Sequence, residues 1–364
     1  MSRGEIQRRT TRQVKVGGVA IGGGAPVTIQ SMTNTPTADA KATLAQIRAL
    51  AQAGCDIVRV ATPSADDTAA LGEILAGSPV PVVADVHFHF RRALEAVAAG
   101  VHKIRLNPGN ITDRKAVRAV IDACKAAGIP IRVGVNEGSV RGATRSRQPE
   151  QAHRPLAELM IETLGSYLEV FEEAGFGDLV LSAKSHDAVT CVQVNRTLAA
   201  SYDYPLHLGL THAGTVETGL IRSTAALAAL LADGIGDTIR ISLAGDPLAE
   251  VAAAKELLAS LRLRPREGAE IIACPTCGRT TADVNALAEK LRSALADVRR
   301  HVRVAVMGCE VNGPGEAQTA DVAACCGKGR AAIYRAGKHT RTVPDDGIVE
   351  AMLEEVGRIL GERS

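Results

Sequence analysis

The sequence predicts a (β/α)₈ TIM-type barrel followed by a small α+β domain, and three observations support this fold class. Short apolar runs rich in β-branched residues recur through roughly the first 250 residues, separated by Ala- and Leu-rich segments of helical periodicity. There are eight such strand–helix units, the number that closes a barrel. The pattern changes after a polar stretch with Pro and Gly at residues 261–270. We therefore expect a barrel over residues 1–262 and a second domain over residues 268–364.

The eight expected strands are continuous apolar segments, as strands buried on both faces of a parallel sheet should be. They lie at residues 26–33, 56–62, 81–88, 103–108, 130–135, 179–184, 206–211 and 238–245. Helical periodicity is clear at residues 38–54 and 114–128. An open doubly wound sheet is the alternative. It would more often carry a GxGxxG turn after its first strand, and this sequence has none there.

Glycines near the N-terminus, at residues 17–18 and 22–24, predict the turns of a hairpin that plugs the bottom of the barrel. We prefer this interpretation to a phosphate-binding loop. In the second domain we expect a helix at about 281–298, a strand at 301–308 and short strands through residue 343. A final amphipathic helix should cover roughly residues 346–360.

Composition narrows the possible functions. The chain has 364 residues and a formal net charge of +2, which argues against a general nucleic-acid binder. No apolar run approaches the roughly 20 residues needed to span a bilayer, and the basic N-terminus lacks the apolar core of a signal peptide. We expect a cytoplasmic protein without membrane contacts. Its eight cysteines are better interpreted as thiols or metal ligands than as disulfides.

Three cysteines of the second domain form a candidate metal centre. Cys274 and Cys277 make a C-x2-C pair that can chelate from one turn, and Cys309 can add a third thiolate. The glycine-rich turn after Cys309 can bring Glu316 back to the same centre. Soft thiolates select zinc, Cu(I) or iron–sulfur clusters, and a structural zinc site would normally have a fourth Cys or His. Three thiolates and a displaceable carboxylate favour a [4Fe–4S] cluster with one distinct iron, while a zinc knuckle or a redox dithiol stays open.

The remaining cysteines are expected to be structural. Cys325 and Cys326 are adjacent, and we interpret them as strand residues facing opposite sides, although either could be an alternative ligand. Cys55, Cys124 and Cys191 lie in or next to helical segments and should be buried apolar residues.

Basic side chains recur inside the expected barrel strands, where a charge is costly unless it is paired. These residues are Arg59, Arg105, Arg132, Lys184 and Arg240. Because barrel sites form at the strand C-termini and Arg and Lys bind phosphate well, this set indicates a phosphorylated, and we expect doubly phosphorylated, small molecule. Asp85, His87 and Asn136 follow strands and could hold hydroxyls or move protons; a helix cap for Asp85 and a structural role for His87 are the alternatives.

Nine stretches, in order along nearly the whole chain, carry a resemblance to a known family. They are "QSMTNT" (30–35), "IVRV" (57–60), "VADVHF" (83–88), "RLNPGNI" (105–111), "GVN-GS" (134–139), "HLGLT-AG" (207–214), "GIGDTIRISLAGDP" (234–247), "CPTCGRT" (274–280) and "GC-VNGPGEA" (308–317). Together they resemble the 4-hydroxy-3-methylbut-2-enyl diphosphate synthases of the methylerythritol phosphate route to isoprenoids, in their two-domain bacterial form.

The resemblance implies an iron–sulfur oxidoreductase. It would open 2-C-methyl-D-erythritol 2,4-cyclodiphosphate reductively to (E)-4-hydroxy-3-methylbut-2-enyl diphosphate, with ferredoxin or flavodoxin as electron donor. It also implies a homodimer in which the cluster domain of one subunit closes over the barrel of its partner. Cluster ligation would fall to the three cysteines and Glu316. Diphosphate binding would fall to the five basic barrel residues and Asn136, with Asp85 as a substrate-site carboxylate.

The chain departs from the family pattern at three positions. His212 stands where the family usually has a glutamate thought to aid proton delivery, and a histidine can deliver protons near neutral pH. His89 stands where an aspartate is frequent, and Glu137 replaces a small residue. The His212 change leaves a non-catalytic cyclodiphosphate-binding or sensing protein as the alternative function. The cysteine spacing leaves a structural-zinc protein with a barrel of other specificity as a third.

Overall fold

The structure, a computed structural model, describes residues 6–87, 89–147, 153–311, 315 and 317–362. The chain divides into two units, Met1–Arg264 and Pro265–Ser364, which are treated separately below. Within the described residues, no helix is both long and apolar enough to cross a membrane.

The first unit contains an eight-stranded parallel barrel sheet. Its strands are β3 (Thr28–Met32), β4 (Ile57–Ala61), β5 (Val82–Asp85), β6 (Lys103–Leu106), β7 (Ile131–Asn136), β8 (Leu179–Lys184), β9 (His207–Leu208) and β10 (Thr238–Ile239). The strand order is β8-β7-β6-β5-β4-β3-β10-β9, and a parallel bridge between Leu181 and Leu206 joins the two ends. The predicted barrel class is confirmed, and each of the eight predicted strands is present.

The last two barrel strands are shorter than predicted, with two residues each. Beyond their ends, the backbone at Gly209 lies close to that at Arg240. A β-carbon on Gly209 would lie 2.4 Å from the carbonyl oxygen of Arg240 and 2.8 Å from Nζ of Lys184. Only glycine fits there, because the added atom would collide with backbone.

Helices surround the sheet on its outer face. They are α1 (Ala40–Gln52), α2 (Ala65–Gly77), α3 (Phe90–Ala98), α4 (Arg114–Ala127), α5 (Glu137–Arg147), α6 (Leu156–Glu173), α7 (Ala188–Ser201), α8 (Val216–Ala232) and α9 (Pro247–Ser260). Short polar side chains begin several of them: Asp39, Ser64, Asp113, Asp187 and Asp246 each accept a first-turn N–H. Such caps satisfy N–H groups that the helix itself cannot pair.

An N-terminal hairpin closes the bottom of the barrel. Strands β1 (Gln13–Val16) and β2 (Val19–Gly22) pair antiparallel. Val16 and Ile21 pack in one buried cluster with Ile57 and Val83, near the starts of β4 and β5. The predicted plug is confirmed, and the opposite end of the barrel, where the strands finish, is left for a binding site.

The buried thiols of the barrel are structural, as predicted. Cys55, Cys124 and Cys191 are 3%, 0% and 1% exposed. Burial raises the pKa of Cys55 and of Cys124 to about 12, so neither is a thiolate at neutral pH.

The second unit is a five-stranded mixed sheet with helices on one face. In sheet order its strands are β11 (Ala269–Ala273), β12 (Val302–Met307), β13 (Val322–Cys326), β14 (Arg330–Arg335) and β15 (Lys338–Pro344). The helices are α10 (Val284–Ala294) and α11 (Ile348–Glu362). Strand β11 was not predicted; it begins within the polar stretch at residues 261–270 and runs up to the C-x2-C pair. It is an edge strand of only partly buried residues, so it lacks a clear apolar run.

The two faces of this sheet differ. Alternate residues of β12 and β13 pack with α10 and α11 in one core, which includes Val304 and Cys326. The other face carries small side chains around Met307 and Cys325. The adjacent cysteines therefore face opposite sides of a strand, as predicted.

Candidate active site

A buried carboxylate, Asp85, holds two arginine side chains inside the barrel. Asp85, 3% exposed, accepts a hydrogen bond from Nη1 of Arg105 at 3.0 Å and lies 3.4 Å from Nη1 of Arg59. Burial alone would raise the pKa of Asp85, but the charges of Arg59 and Arg105 lower it below its ordinary range. The carboxylate is therefore ionised and holds two guanidinium groups, one from β4 and one from β6.

Further buried cations lie inside the barrel besides the two that pair with Asp85. Besides Arg59 and Arg105, the interior holds Arg132, Lys184 and Lys103, exposed by 1%, 6% and 0%. Nε and Nη1 of Arg132 have no hydrogen-bond partner among the described residues, and Lys103 has one long contact of 3.5 Å to the amide oxygen of Gln30. Burial lowers the pKa of both lysines well below their ordinary value, and the charges of Arg132 and Arg59 lower it further. Such an arrangement is stable only if an anion or proton loss offsets the repulsion.

Arg240 is held separately from the others. Its Nε and Nη2 each donate to the carboxylate of Glu250 on α9 at 3.2 Å, a two-pronged ion pair. The same carboxylate accepts from Oγ of Ser31 at 2.9 Å and from the backbone N–H of Leu243 at 3.1 Å. Glu250, 3% exposed, thus fixes Arg240 at the end of β10.

Asn136 ends β7 in register with Lys184 at the end of β8. Oγ of Ser139 donates to the carbonyl oxygen of Asn136 at 2.8 Å and to the amide oxygen of Asn107 at 3.2 Å. Asn107 also accepts from the backbone N–H of Gly109 at 3.1 Å, so its side chain orders the loop after β6. Asn136 and Lys184 therefore lie side by side at the carboxyl ends of β7 and β8.

His212 lies in the loop after β9 with a left-handed backbone, φ 52°. Its side chain is exposed, and Nδ1 lies 3.1 Å from Oγ1 of Thr211. A non-glycine residue with positive φ is uncommon and is found often at functional sites. His89 precedes α3 and caps it without a side-chain hydrogen bond.

Sequence reasoning missed three interior groups: Lys103, His207 and Glu250. Lys103 carried the same signal as Arg105, a charge within an apolar strand, and could have been found. His207, 0% exposed, has Nε2 without a partner among the described residues, but a lone histidine in a strand is an ordinary core residue. Glu250 carried no signal, because acidic residues are common on helices.

The three candidate ligand thiols of the second unit lie in turns that follow the carboxyl ends of β11 and β12. Cys274 directly follows β11, and its N–H donates to the carbonyl oxygen of Val306 in β12 at 3.0 Å. Cys309 lies just past the end of β12. The C-x2-C turn folds back onto this strand end, because the N–H of Thr281 donates to the carbonyl oxygen of Gly308 at 2.9 Å. The structure therefore brings the turns of Cys274, Cys277 and Cys309 together.

The donor set fits a thiolate-bound metal centre. All three cysteines are free, and hydrogen bonds from Arg279 lower the pKa of the exposed Cys277. Cys309 is buried and Cys274 partly so. Their side chains do not yet converge: within the described residues, no group of three His, Cys, Asp or Glu is arranged to hold a metal ion. Glu316, the predicted fourth ligand, lies outside the described residues.

Fold and site together define a class: barrel proteins with buried cations in the barrel and a separate domain that carries free thiols. Two family profiles match the chain, "GcpE TIM-barrel domain" over residues 11–255 and "GcpE protein C-terminal domain" over residues 270–358. The chain belongs to the GcpE family, which confirms the resemblance seen in its motifs.

Curated relatives match along nearly their whole length. A protein of Corynebacterium jeikeium is 48% identical over 98% of this chain and 91% of its own. One of Geobacter sulfurreducens is 46% identical over 97% of this chain and 99% of its own. Both are named 4-hydroxy-3-methylbut-2-en-1-yl diphosphate synthase (flavodoxin).

Solved structures support the barrel alone. Dihydropteroate synthase of Yersinia pestis superposes with a TM-score of 0.51 at 13% identity, covering 70% of this chain and 98% of that one. The enzyme of Stenotrophomonas maltophilia gives 0.50 at 18% identity, covering 69% of this chain and 98% of that chain. At such identities the likeness concerns fold and carries no function.

Proposed function

We propose that this protein catalyses the reductive ring opening and dehydration of 2-C-methyl-D-erythritol 2,4-cyclodiphosphate to (E)-4-hydroxy-3-methylbut-2-enyl diphosphate. Two electrons and two protons are consumed, and one oxygen leaves as water. The observation that carries the proposal is the excess of buried cations around Asp85, with guanidinium N–H groups of Arg132 left unpartnered among the described residues. A diphosphate supplies the missing negative charge and the missing acceptors.

The predicted barrel residues divide into phosphate-binding, positioning and proton-donating groups. Arg59, Arg105, Arg132, Lys184 and Arg240 bind the two phosphates, and the amide of Asn136 adds a hydrogen bond. Asp85 holds the side chains of Arg59 and Arg105 in place before substrate arrives. Because these groups are buried and already positioned, little reorganisation accompanies binding. His212, at the rim, donates the proton that the departing oxygen requires.

We assign a [4Fe–4S] cluster to Cys274, Cys277 and Cys309, with Glu316 as the displaceable fourth ligand. When bound, this group supplies electrons and a Lewis-acidic iron to the substrate oxygen. The turns that carry these cysteines meet at the ends of β11 and β12, which supports the assignment. Reduced flavodoxin is the proposed donor, as in the names of the relatives, with ferredoxin as the other candidate. We further propose a cytoplasmic homodimer.

The test is anaerobic turnover of cluster-reconstituted protein with the cyclodiphosphate and a strong reductant, with ³¹P detection of the linear diphosphate. Product from the native chain, and its loss in Cys309→Ser, is the expected result. A loaded cluster and bound substrate without product would instead support a binding or sensing protein, above all if His212→Glu restored turnover. A colourless preparation with stoichiometric zinc would refute the cluster assignment.

A further inference from the structure

Glu137 joins two strand ends at the rim of the barrel. It is the first residue of α5 and directly follows Asn136. Its Oε2 accepts a hydrogen bond from Oγ of Ser185 at 2.8 Å and lies 2.6 Å from Nδ1 of His186. Ser185 and His186 directly follow Lys184, the last residue of β8. The carboxylate therefore ties the segment after Asn136 to the segment after Lys184.

The contact set is larger than an ordinary surface ion pair. The second oxygen, Oε1, accepts from Nε of Arg141 one helical turn away at 3.3 Å, and the Glu137 side chain is only 15% exposed. Burial would raise the pKa of Glu137, but the bonds from Ser185, His186 and Arg141 lower it, so the group is an anion at neutral pH.

Ser185 extends the connection to a third strand end. Its carbonyl oxygen accepts from the N–H of Thr211 at 3.2 Å, next to His212. Its Oγ also accepts from the N–H of Asp187 at 3.1 Å, at the start of α7. The Glu137 carboxylate thus contacts Ser185 and His186, the segment that follows Lys184. Through Ser185 this segment also bonds to Thr211, the neighbour of His212.

We propose that Glu137 is a positioning residue for diphosphate binding, which holds Lys184 and Asn136 at the rim through Ser185 and His186. This inference rests on the function proposed above. The carboxylate does not contact the substrate, since an anion would repel a diphosphate; His186 and Arg141 offset its charge while its oxygen atoms supply the geometry.

The experiment is calorimetric binding of the cyclodiphosphate, with inorganic pyrophosphate as a second probe, to the anaerobically purified full-length protein. We expect Glu137→Ala to weaken binding about tenfold, the equivalent of one or two lost hydrogen bonds. Glu137→Gln keeps an oxygen that can accept from Ser185 and should stay within about threefold of the native protein. The matched control is Glu173→Ala. Glu173, at the end of α6, forms an exposed ion pair with Arg114 of α4, and this variant should bind the cyclodiphosphate as the native chain does.

A double-mutant cycle separates positioning from general damage. Glu137→Ala and Lys184→Met should be non-additive in binding free energy, because both act through the end of β8. Glu137→Ala and Arg59→Met should be additive, since Arg59 lies on β4. If Glu137→Ala does not fold, Ser185→Ala tests the same bond with the charge retained, and should also weaken binding.

The outcomes distinguish this inference from the proposed function. If the native protein does not bind the cyclodiphosphate, the proposed function fails. If the native protein binds and Glu137→Ala binds equally well, or if Glu137→Ala and Glu137→Gln both bind more tightly, the positioning role is wrong while the proposed function stands. Tighter binding in both variants would mean that the carboxylate acts only by repulsion.

Discussion

Asp85 illustrates how one residue decides the state of several others. It is the buried partner of Arg59 and Arg105, and its removal leaves two guanidinium groups in the interior with fewer acceptors. We expect Asp85→Asn to lower the free energy of unfolding by about 3–5 kcal/mol, the usual cost of breaking a buried ion pair from one side. Urea denaturation measures it. Asp122→Asn, which breaks an exposed pair with Arg118, should change stability by less than about 1 kcal/mol.

The same carboxylate predicts a pH dependence. Its pKa in the folded protein is lowered, whereas an unfolded aspartate titrates near pH ~3.9. Its stabilising contribution is therefore complete above the unfolded value and is lost as the pH falls from there toward the folded value. The difference in unfolding free energy between native and Asp85→Asn proteins should be constant from about pH 5 to 8 and should shrink below about pH 4. A difference that shrinks already at pH 6 would mean that another group is titrating.

Lys103 has the opposite effect on stability: its charge destabilises the folded protein. Burial, with Arg132 and Arg59 nearby, lowers its pKa in the folded state, so the unfolded chain binds the proton more tightly. The group therefore costs stability at every pH below its unfolded value near 10.4. We expect Lys103→Met to raise the unfolding free energy of the ligand-free protein by about 1–2 kcal/mol, as replacing a buried charge by an apolar group of similar length often does. Exposed Lys115→Met is the control, and a clear loss of stability in Lys103→Met would show that its ammonium is compensated.

At the level of elements, the barrel strands could be predicted because burial on both faces makes each strand a continuous apolar run. The strand lengths were less accurate: β5, β9 and β10 have four, two and two residues, against eight, six and eight predicted. The edge strand β11 was not predicted for the opposite reason: its residues are only partly buried, so they form no continuous apolar run.

The join between the C-x2-C turn and the end of β12 depends on Gly308. A β-carbon there would lie 2.9 Å from Cγ2 of Thr280 and 3.0 Å from Cγ2 of Val284, so Gly308→Ala must push the turn away from Cys309. We expect this variant to take up markedly less iron and sulfide on reconstitution than the native protein. Gly278→Ala lies in the same turn, where a β-carbon would meet nothing within 4 Å, and should load normally. Equal loading of both variants would show that the turn tolerates displacement.

At the level of the whole molecule, the candidate site was predictable only in part. The rule that a charge inside an apolar strand needs a partner identified Arg59, Arg105 and Arg132, which the structure gathers around Asp85. The rule cannot identify Glu250, because a helix supplies it and only the fold brings it to Arg240. The reach of Glu137 to the end of β8 is likewise a property of the closed barrel. Ion pairs between residues of different elements, such as Arg240 and Glu250, cannot be predicted from the sequence pattern alone.

The proposed homodimer makes a prediction that no single subunit could satisfy. If the cluster domain of one subunit acts on the barrel of its partner, Cys309→Ser and Lys184→Met proteins are each inactive but complementary. After mixing in equal amounts and random exchange of subunits, half of the dimers are mixed and each has one complete site, so activity should return to about a quarter of the native value. Anaerobic product formation before and after exchange measures this recovery. If each cluster instead served its own barrel, every site in the mixed dimer would lack one component, and the mixture would stay inactive.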